Sequence, residues 1–202
     1  MTLPNKLTIG RICAIPAIII VACIPYLNDH YAFAGVSYAN LINVILFALA
    51  SATDFLDGYL ARKHNLVTTF GKFADPLADK CLVLTSLLIL MGGSGSYNGV
   101  QFGVTYVKLA PMWAVAIILL RELIVSGVRL VAAERGEVIA AGWSGKVKTF
   151  VTMIAIIFIF LAGIHRVVGI IALVLMYASV ILTVYSGIEY VYNSRKLIFE
   201  SI

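Results

Sequence analysis

The chain has 202 residues, 61% of them hydrophobic and only 12% charged, with a mean hydropathy of +1.00 and a net charge of +5. A soluble globular domain is about a quarter charged, so this composition excludes an ordinary water-soluble protein and indicates an integral membrane protein, read as a single domain over 1–202. The basic excess does not point to nucleic acid, since no stacking aromatics are woven through a basic stripe; in a membrane chain it marks cytoplasmic loops and serves an anionic substrate.

About 20 apolar residues cross a bilayer as a helix. Six segments qualify, at 9–27, 39–60, 76–92, 109–132, 148–164 and 167–191. The expected fold is therefore all-α and polytopic, with six transmembrane helices and an N-terminal interfacial segment. The first span carries Arg11 near its start and contains Pro16, where a bend is expected. Lys6, Arg11, the apolar run and "AFA" at 32–34 also have the form of a cleavable secretory signal, whose removal would leave five spans.

The connectors alternate in charge. The 28–38 loop has no Lys or Arg, the next connector holds Arg62, Lys63 and Lys72, and "GGSGSYNGVQFGVTY" has none before Lys108. Arg135, Lys146 and Lys148 follow, then Arg166 alone, then Arg195 and Lys196 in the tail. This is the positive-inside pattern of an even number of spans, with both termini cytoplasmic. Tyr26, Tyr31, Tyr38, Tyr97, Tyr106, Tyr190 and Tyr192 lie near span ends and read as an interfacial aromatic belt. The glycine-rich stretch at 92–99 reads as an external loop. Cys13, Cys23 and Cys81 have no ligand spacing and read as small apolar residues, while His30, His64 and His165 read as plain loop residues.

The stretch "DFLDGYLARKHNLVTTFGKFADPLADK" at 54–80 holds four of the ten acidic residues. Asp54 and Asp57 are three apart at the cytoplasmic end of the second span; Asp75 and Asp79 are four apart at the start of the third. Each pair falls on one helix face, and an antiparallel hairpin brings the pairs together. Pro76 is expected in the first turn of the third span, where a missing N–H costs little. Unneutralised carboxylates at a membrane boundary are expensive. Hard oxygen ligands without His or Cys favour Mg²⁺, Mn²⁺ or Ca²⁺, and four carboxylates match two divalent ions, the arrangement that clamps a phosphoryl centre. Solvated acids paired with Arg62, Lys63, Lys72 and Lys80 are the simpler reading; the paired spacings and the scarcity of acids on most other connectors weigh against it.

Read as a pattern, Asp54, Asp57, Gly58, Ala61, Arg62, Gly71, Asp75 and Asp79 give D-x-x-D-G-x-x-A-R-x(8)-G-x-x-x-D-x-x-x-D. This resembles the signature of the CDP-alcohol phosphatidyltransferase family, and the six-span reading agrees with that family's fold. "NKLTIGRI" at 5–12 and "RELIVSGVRLVAAERGEVIAAGWSGKVKT" at 121–149 are similar to bacterial members whose acceptor is sn-glycerol 3-phosphate.

The resemblance implies transfer of a phosphatidyl group from CDP-diacylglycerol to sn-glycerol 3-phosphate with release of CMP. It implies two divalent cations, Mg²⁺ or Mn²⁺, on Asp54, Asp57, Asp75 and Asp79, with Asp79 as the general base. Asp54, Asp57, Gly58, Ala61, Arg62, Gly71 and Asp75 would bind CDP-diacylglycerol. It implies a homodimer among membrane lipids in a bacterial cytoplasmic membrane, with the site facing the cytoplasm.

The acceptor needs its own cationic pocket. Arg121 and Arg129 are eight apart on one face of the fourth span, and Glu122, about 100° round the helix, need not pair with Arg121. Lys146 and Lys148 follow Gly145 at a helix amino end, which also attracts phosphate. Thr8 and Arg11 would close the pocket from the other side. Two alternatives stay open: another acceptor (inositol phosphate, serine or a second lipid), and a divalent-cation transporter, which would place its acids nearer the midplane.

Overall fold

The computed structural model describes residues 3–33, 35–64, 69–92, 99–102, 105–134 and 142–195. For 3–6, 55–64, 69–70, 72–73, 99, 101–102, 105–106 and 133–134 it describes the backbone course alone. These residues are mostly helical. Helices α1 (Leu3–Cys23), α3 (Tyr38–His64), α4 (Thr69–Gly92), α5 (Met112–Glu134), α6 (Trp143–Phe160) and α7 (Arg166–Asn193) are long; α2 (Pro25–Asp29) is a short turn of helix.

Two connectors depart from the all-α expectation. Strands β1 (Tyr31–Phe33) and β2 (Val36–Ser37) form one antiparallel hairpin, and β3 (Gly99–Phe102) and β4 (Thr105–Lys108) form another. The β-branched and aromatic residues of "VQF" and "TYV" suit a pleated edge, a signal too short to stand out beside long apolar runs.

The helix edges also differ from the apolar segments. α4 begins at Thr69, so Pro76 lies inside the helix rather than in its first turn. α6 begins at Trp143. A hydropathy window sees only the part of a helix suited to lipid, whereas the hydrogen-bonded helix continues past that boundary. Residues 93–98, 135–141 and 196–202, with much of the glycine-rich stretch, Arg135 and Lys196, lie outside the described residues.

Among the described residues two helices, Trp143–Phe160 and Arg166–Asn193, are long and apolar enough to cross a membrane; Leu7–Cys23 and Tyr38–Asp54 are shorter apolar runs. Large apolar side chains such as Ile20, Leu49, Leu130, Ile181 and Ile188 face outward. Inward-facing Phe47, Leu82, Leu87, Ile118, Ile156 and Met176 form one continuous core.

The helices pack as two groups. α1 lies against both α3 and α4 and touches each more extensively than they touch one another; α7 packs on α6 and α5. α7 buries small residues, Gly169, Ala172, Ser179 and Thr183, and Gly169 leaves room for Val100 of β3; the α6–α7 interface is the most extensive in the bundle among the described residues. Thr152 and Ser179 share a buried 2.5 Å hydrogen bond across it. His165, expected to be a plain loop residue, caps α7: its Nδ1 accepts from the backbone N–H of Val167 at 3.2 Å.

The end of the bundle opposite the acidic residues is closed by backbone contacts. Gly35 turns the β1–β2 hairpin with φ 81°, a conformation that favours glycine. Its carbonyl lies so close to Gly163, in the α6–α7 turn, that a Cβ there would collide with backbone. Gly163→Val therefore displaces the hairpin or the turn. The expected cost is about 1–3 kcal/mol, read as a lower thermal midpoint of the detergent-purified protein; an unchanged midpoint would show that the contact carries no stability.

Candidate functional site

The two acid pairs are joined through α1 as well as by the α3–α4 hairpin. Thr8 and Arg11 are three residues apart and share one face of α1. Arg11, buried to 1% exposure, places Nη1 2.5 Å from Oδ1 of Asp54 on α3. Thr8, equally buried, donates through Oγ1 to Oδ1 of Asp75 on α4 at 2.6 Å. Both residues therefore stand with the carboxylates, and neither is in the lining of the cavity beside them. The contact also packs α1 into the helical body.

Asp79 is one turn beyond Asp75. Its Oδ1 is buried and has no hydrogen-bond partner among the described residues. Gly71 is buried near the start of α4. Asp57, Gly58, Ala61 and Arg62 lie on the course of α3, but their side chains are outside the described residues. Among the described residues no three His, Cys, Asp or Glu side chains gather tightly enough to hold a metal by themselves. The donor chemistry nevertheless fits a hard divalent cation: Asp54, Asp75 and Asp79 offer only carboxylate oxygen, and one oxygen of Asp79 retains its acceptor capacity.

A cavity of about 800 Å³ opens beside these acids, within the range of small-molecule sites. α3 and α4 bring Asp54, Asp79 and Lys80 to it; α5, α6 and α7 bring Arg121, Glu122, Arg129, Lys146 and Glu189. Phe150, Met153, Ile154 and Ile157, spaced i, i+3, i+4, i+7 on α6, form an apolar wall. The amino end of α6, with Gly142, Ser144 and Gly145, also lines the cavity, and no side chain caps it at Gly142. Lys148 instead lines a small adjoining chamber, together with Asp79, Lys80 and Glu122.

Sequence reasoning placed Glu122 away from Arg121, and the structure corrects this. Arg121 Nη1 donates to Glu122 Oε1 at 2.9 Å, and Lys148 Nζ pairs with the same oxygen. The backbone vectors do diverge, but the long arginine side chain folds back across the offset toward the cavity. Arg121 Nη2 also donates to Ser186 Oγ on α7 at 3.1 Å. Gly187 makes room for the stem of Arg121, since a Cβ there would lie 3.1 Å from its Cγ. One carboxylate thus ties α5 to α6, and one guanidinium ties α5 to α7.

Three further polar residues were missed. Glu189 of α7 accepts from Ser144 Oγ of α6 at 2.5 Å through Oε2. Lys80 Nζ donates to Ser126 Oγ at 2.5 Å, bridging α4 and α5. Tyr190, assigned to the aromatic belt, is instead 8% exposed and lines the cavity, with Arg129 lying 5.7 Å over its ring centroid. For Glu122 and Glu189 a signal existed: an acid within an apolar span is functional by default. Tyr26, Tyr31, Tyr38 and Tyr192 are exposed, as a belt requires.

Comparison with known proteins bears directly on this arrangement. The family model described as CDP-alcohol phosphatidyltransferase matches residues 1–185. The chain is 43% identical over 196 residues to a CDP-diacylglycerol–glycerol-3-phosphate 3-phosphatidyltransferase of Bacillus subtilis, covering 93% of this chain and 92% of that protein. It is 35% identical to a probable phosphatidylglycerophosphate synthase of Mycobacterium tuberculosis, covering 96% of this chain and 82% of the relative. A Haemophilus influenzae protein named like the first is 33% identical, over 99% and 97% of the two chains. With its eight-residue signature, its acid-lined cavity and a family match over nearly its whole length, this chain belongs to the CDP-alcohol phosphatidyltransferase family.

Proposed function

We propose that this protein transfers the phosphatidyl group of CDP-diacylglycerol to sn-glycerol 3-phosphate, giving phosphatidylglycerophosphate and CMP. The observation that carries the reading is one cavity that Asp54 and Asp79 of α3 and α4 share with Arg121, Arg129 and Lys146 of α5 and α6. Such a cavity suits a donor whose pyrophosphate needs cations and an acceptor whose phosphate needs them too. The names of the relatives support the same pair of substrates.

The six long helices α1 and α3–α7 are read as six spans, both termini cytoplasmic, in a bacterial cell membrane. The outward apolar side chains and the connector charges support this topology. A homodimer goes with the family resemblance.

On the acidic wall, Asp54, Asp57, Asp75 and Asp79 hold two divalent cations, Mg²⁺ or Mn²⁺, which when bound neutralise the pyrophosphate and the charge on departing CMP. Gly58, Ala61, Arg62 and Gly71 receive the cytidine end, the small residues allowing close approach to backbone. The donor's acyl chains follow the apolar wall of α6. Arg121, Arg129 and Lys146 hold the acceptor phosphate in the cavity, and Lys148, paired with Glu122 in the adjoining chamber, adds its charge from beside it; Glu122 fixes both Arg121 and Lys148. Thr8 orients Asp75, and Arg11 offsets the charge of Asp54. Asp79 takes the proton of the attacking hydroxyl as its oxygen bonds to the lipid-side phosphorus. The bond from that phosphorus to the CMP oxygen breaks, and CMP leaves with the electron pair. Holding both substrates in one cavity supplies much of the rate.

CMP release from purified protein is expected to require both CDP-diacylglycerol and glycerol 3-phosphate and to stop with EDTA. Release with inositol phosphate or serine in its place would sink the acceptor assignment. Asp79→Asn is expected to lower kcat by about 10²–10⁴-fold while the protein still inserts and purifies; turnover near the parent rate would remove Asp79 as the base. Glu122→Gln and Arg129→Ala should each raise KM for glycerol 3-phosphate about tenfold and leave that for the lipid within about twofold. An equal rise in both constants would mean that these residues serve the fold or the donor.

A further inference from the structure

The mechanism above leaves one wall of the cavity without a task. The last turn of α7 contributes Glu189, Tyr190, Asn193 and Ser194 to the lining. Tyr190 is 8% and Ser194 5% exposed, and neither hydroxyl has a hydrogen-bond partner among the described residues. Buried hydroxyls are nearly always paired. Both residues line one cavity wall, Tyr190 in the last turn of α7 and Ser194 at its cap four residues on, and a group bound there would complete these two orphans. The backbone N–H of Ser194 donates to the carbonyl of Tyr190 at 3.0 Å, so their spacing is fixed by the helix.

The charges around the orphans select the kind of group. Arg129 stacks on the Tyr190 ring, which sets Tyr190 beside a cation assigned to the acceptor's phosphate. Glu189 stands on the same wall, and its carboxylate repels a phosphate placed there but accepts readily from a hydroxyl. A neutral hydroxyl one or two bonds from a phosphate ester fits both neighbours.

Glycerol 3-phosphate carries such a group. Its primary hydroxyl attacks, its phosphate takes the arginines, and its secondary hydroxyl has no reaction to perform. We infer that Tyr190 and Ser194 form a subsite for the non-reacting secondary hydroxyl of the acceptor and thereby set acceptor specificity. This rests on the reading of the acceptor given above. A site built to bond a hydroxyl rejects the analogue that lacks it, because its own polar groups are then left unpaired.

The test compares glycerol 3-phosphate with 1,3-propanediol monophosphate, which keeps the phosphate and the primary hydroxyl and lacks the secondary one. The parent protein is expected to prefer glycerol 3-phosphate by at least about tenfold in kcat/KM. In Tyr190→Phe and, separately, in Ser194→Ala, that ratio should fall to within about threefold of unity. The ratio is internal to each variant, so partial loss of folded protein does not move it, and the second variant stands if the first fails to fold.

A parent ratio near one, or variants that keep the parent ratio, would overturn the subsite and leave glycerol 3-phosphate as substrate. Variants that lose efficiency equally with both acceptors would assign the two hydroxyls to the phosphate and overturn the inference in that form. Failure of the parent protein to release CMP with glycerol 3-phosphate would overturn the proposed function itself, and the subsite with it.

Discussion

The contact between Arg11 and Asp54 is the interaction on which the site depends. A guanidinium with no exposed side-chain surface sits against a carboxylate that keeps 36% of its own. Removing charges from water costs several kcal/mol per ion unless they are paired, so α1 is held where its arginine meets α3. Thr8, one turn earlier on the same helix, then reaches Asp75 on α4. Two helices that touch each other little are brought into register by a third, and the acidic wall is the product.

The opposite wall meets the same constraint with the signs reversed. Arg121, Arg129, Lys146 and Lys148 would repel one another without internal counter-charge. Glu122 supplies it, pairing with two of the four from one oxygen. The hydrogen bonds from Arg121 to Ser186 and from Ser144 to Glu189 carry the arrangement onto α7. Such networks give fixed positions rather than much net stability, and fixed positions are what reaction in a shared cavity requires.

The acidic wall was legible in the sequence because its signal is local. Asp54, Asp75 and Asp79 lie within one stretch, and the helix period converts the spacing of the last two directly into a shared face. The α5 arginines were legible as charges in an apolar run. What could not be read were partnerships between distant segments: Thr8 with Asp75, Lys148 with Glu122, Arg129 with Tyr190. Each depends on how helices separated by tens of residues are rotated about their axes, and apolar periodicity fixes a lipid-facing side better than it fixes an exact rotation. Glu122 was misjudged for a related reason, since backbone angle was allowed to stand for side-chain reach. The two hairpins were lost because strands of two to four residues carry too little pattern to compete with 20-residue helices.

The division of the helices into two closely packed groups has a mechanical meaning. The acidic wall belongs to α3 and α4, held by α1, and the basic wall to α5, α6 and α7; the cavity runs along the seam between them. Among the described residues the largest helix contacts, α1 with α3 and α4 and α7 with α6 and α5, lie inside the groups, and those across the seam are smaller. Any molecule that satisfies both walls at once acts as a crosslink between the groups. Loss of one substrate half, as when a nucleotide departs, removes that crosslink and loosens the path by which the other product must leave.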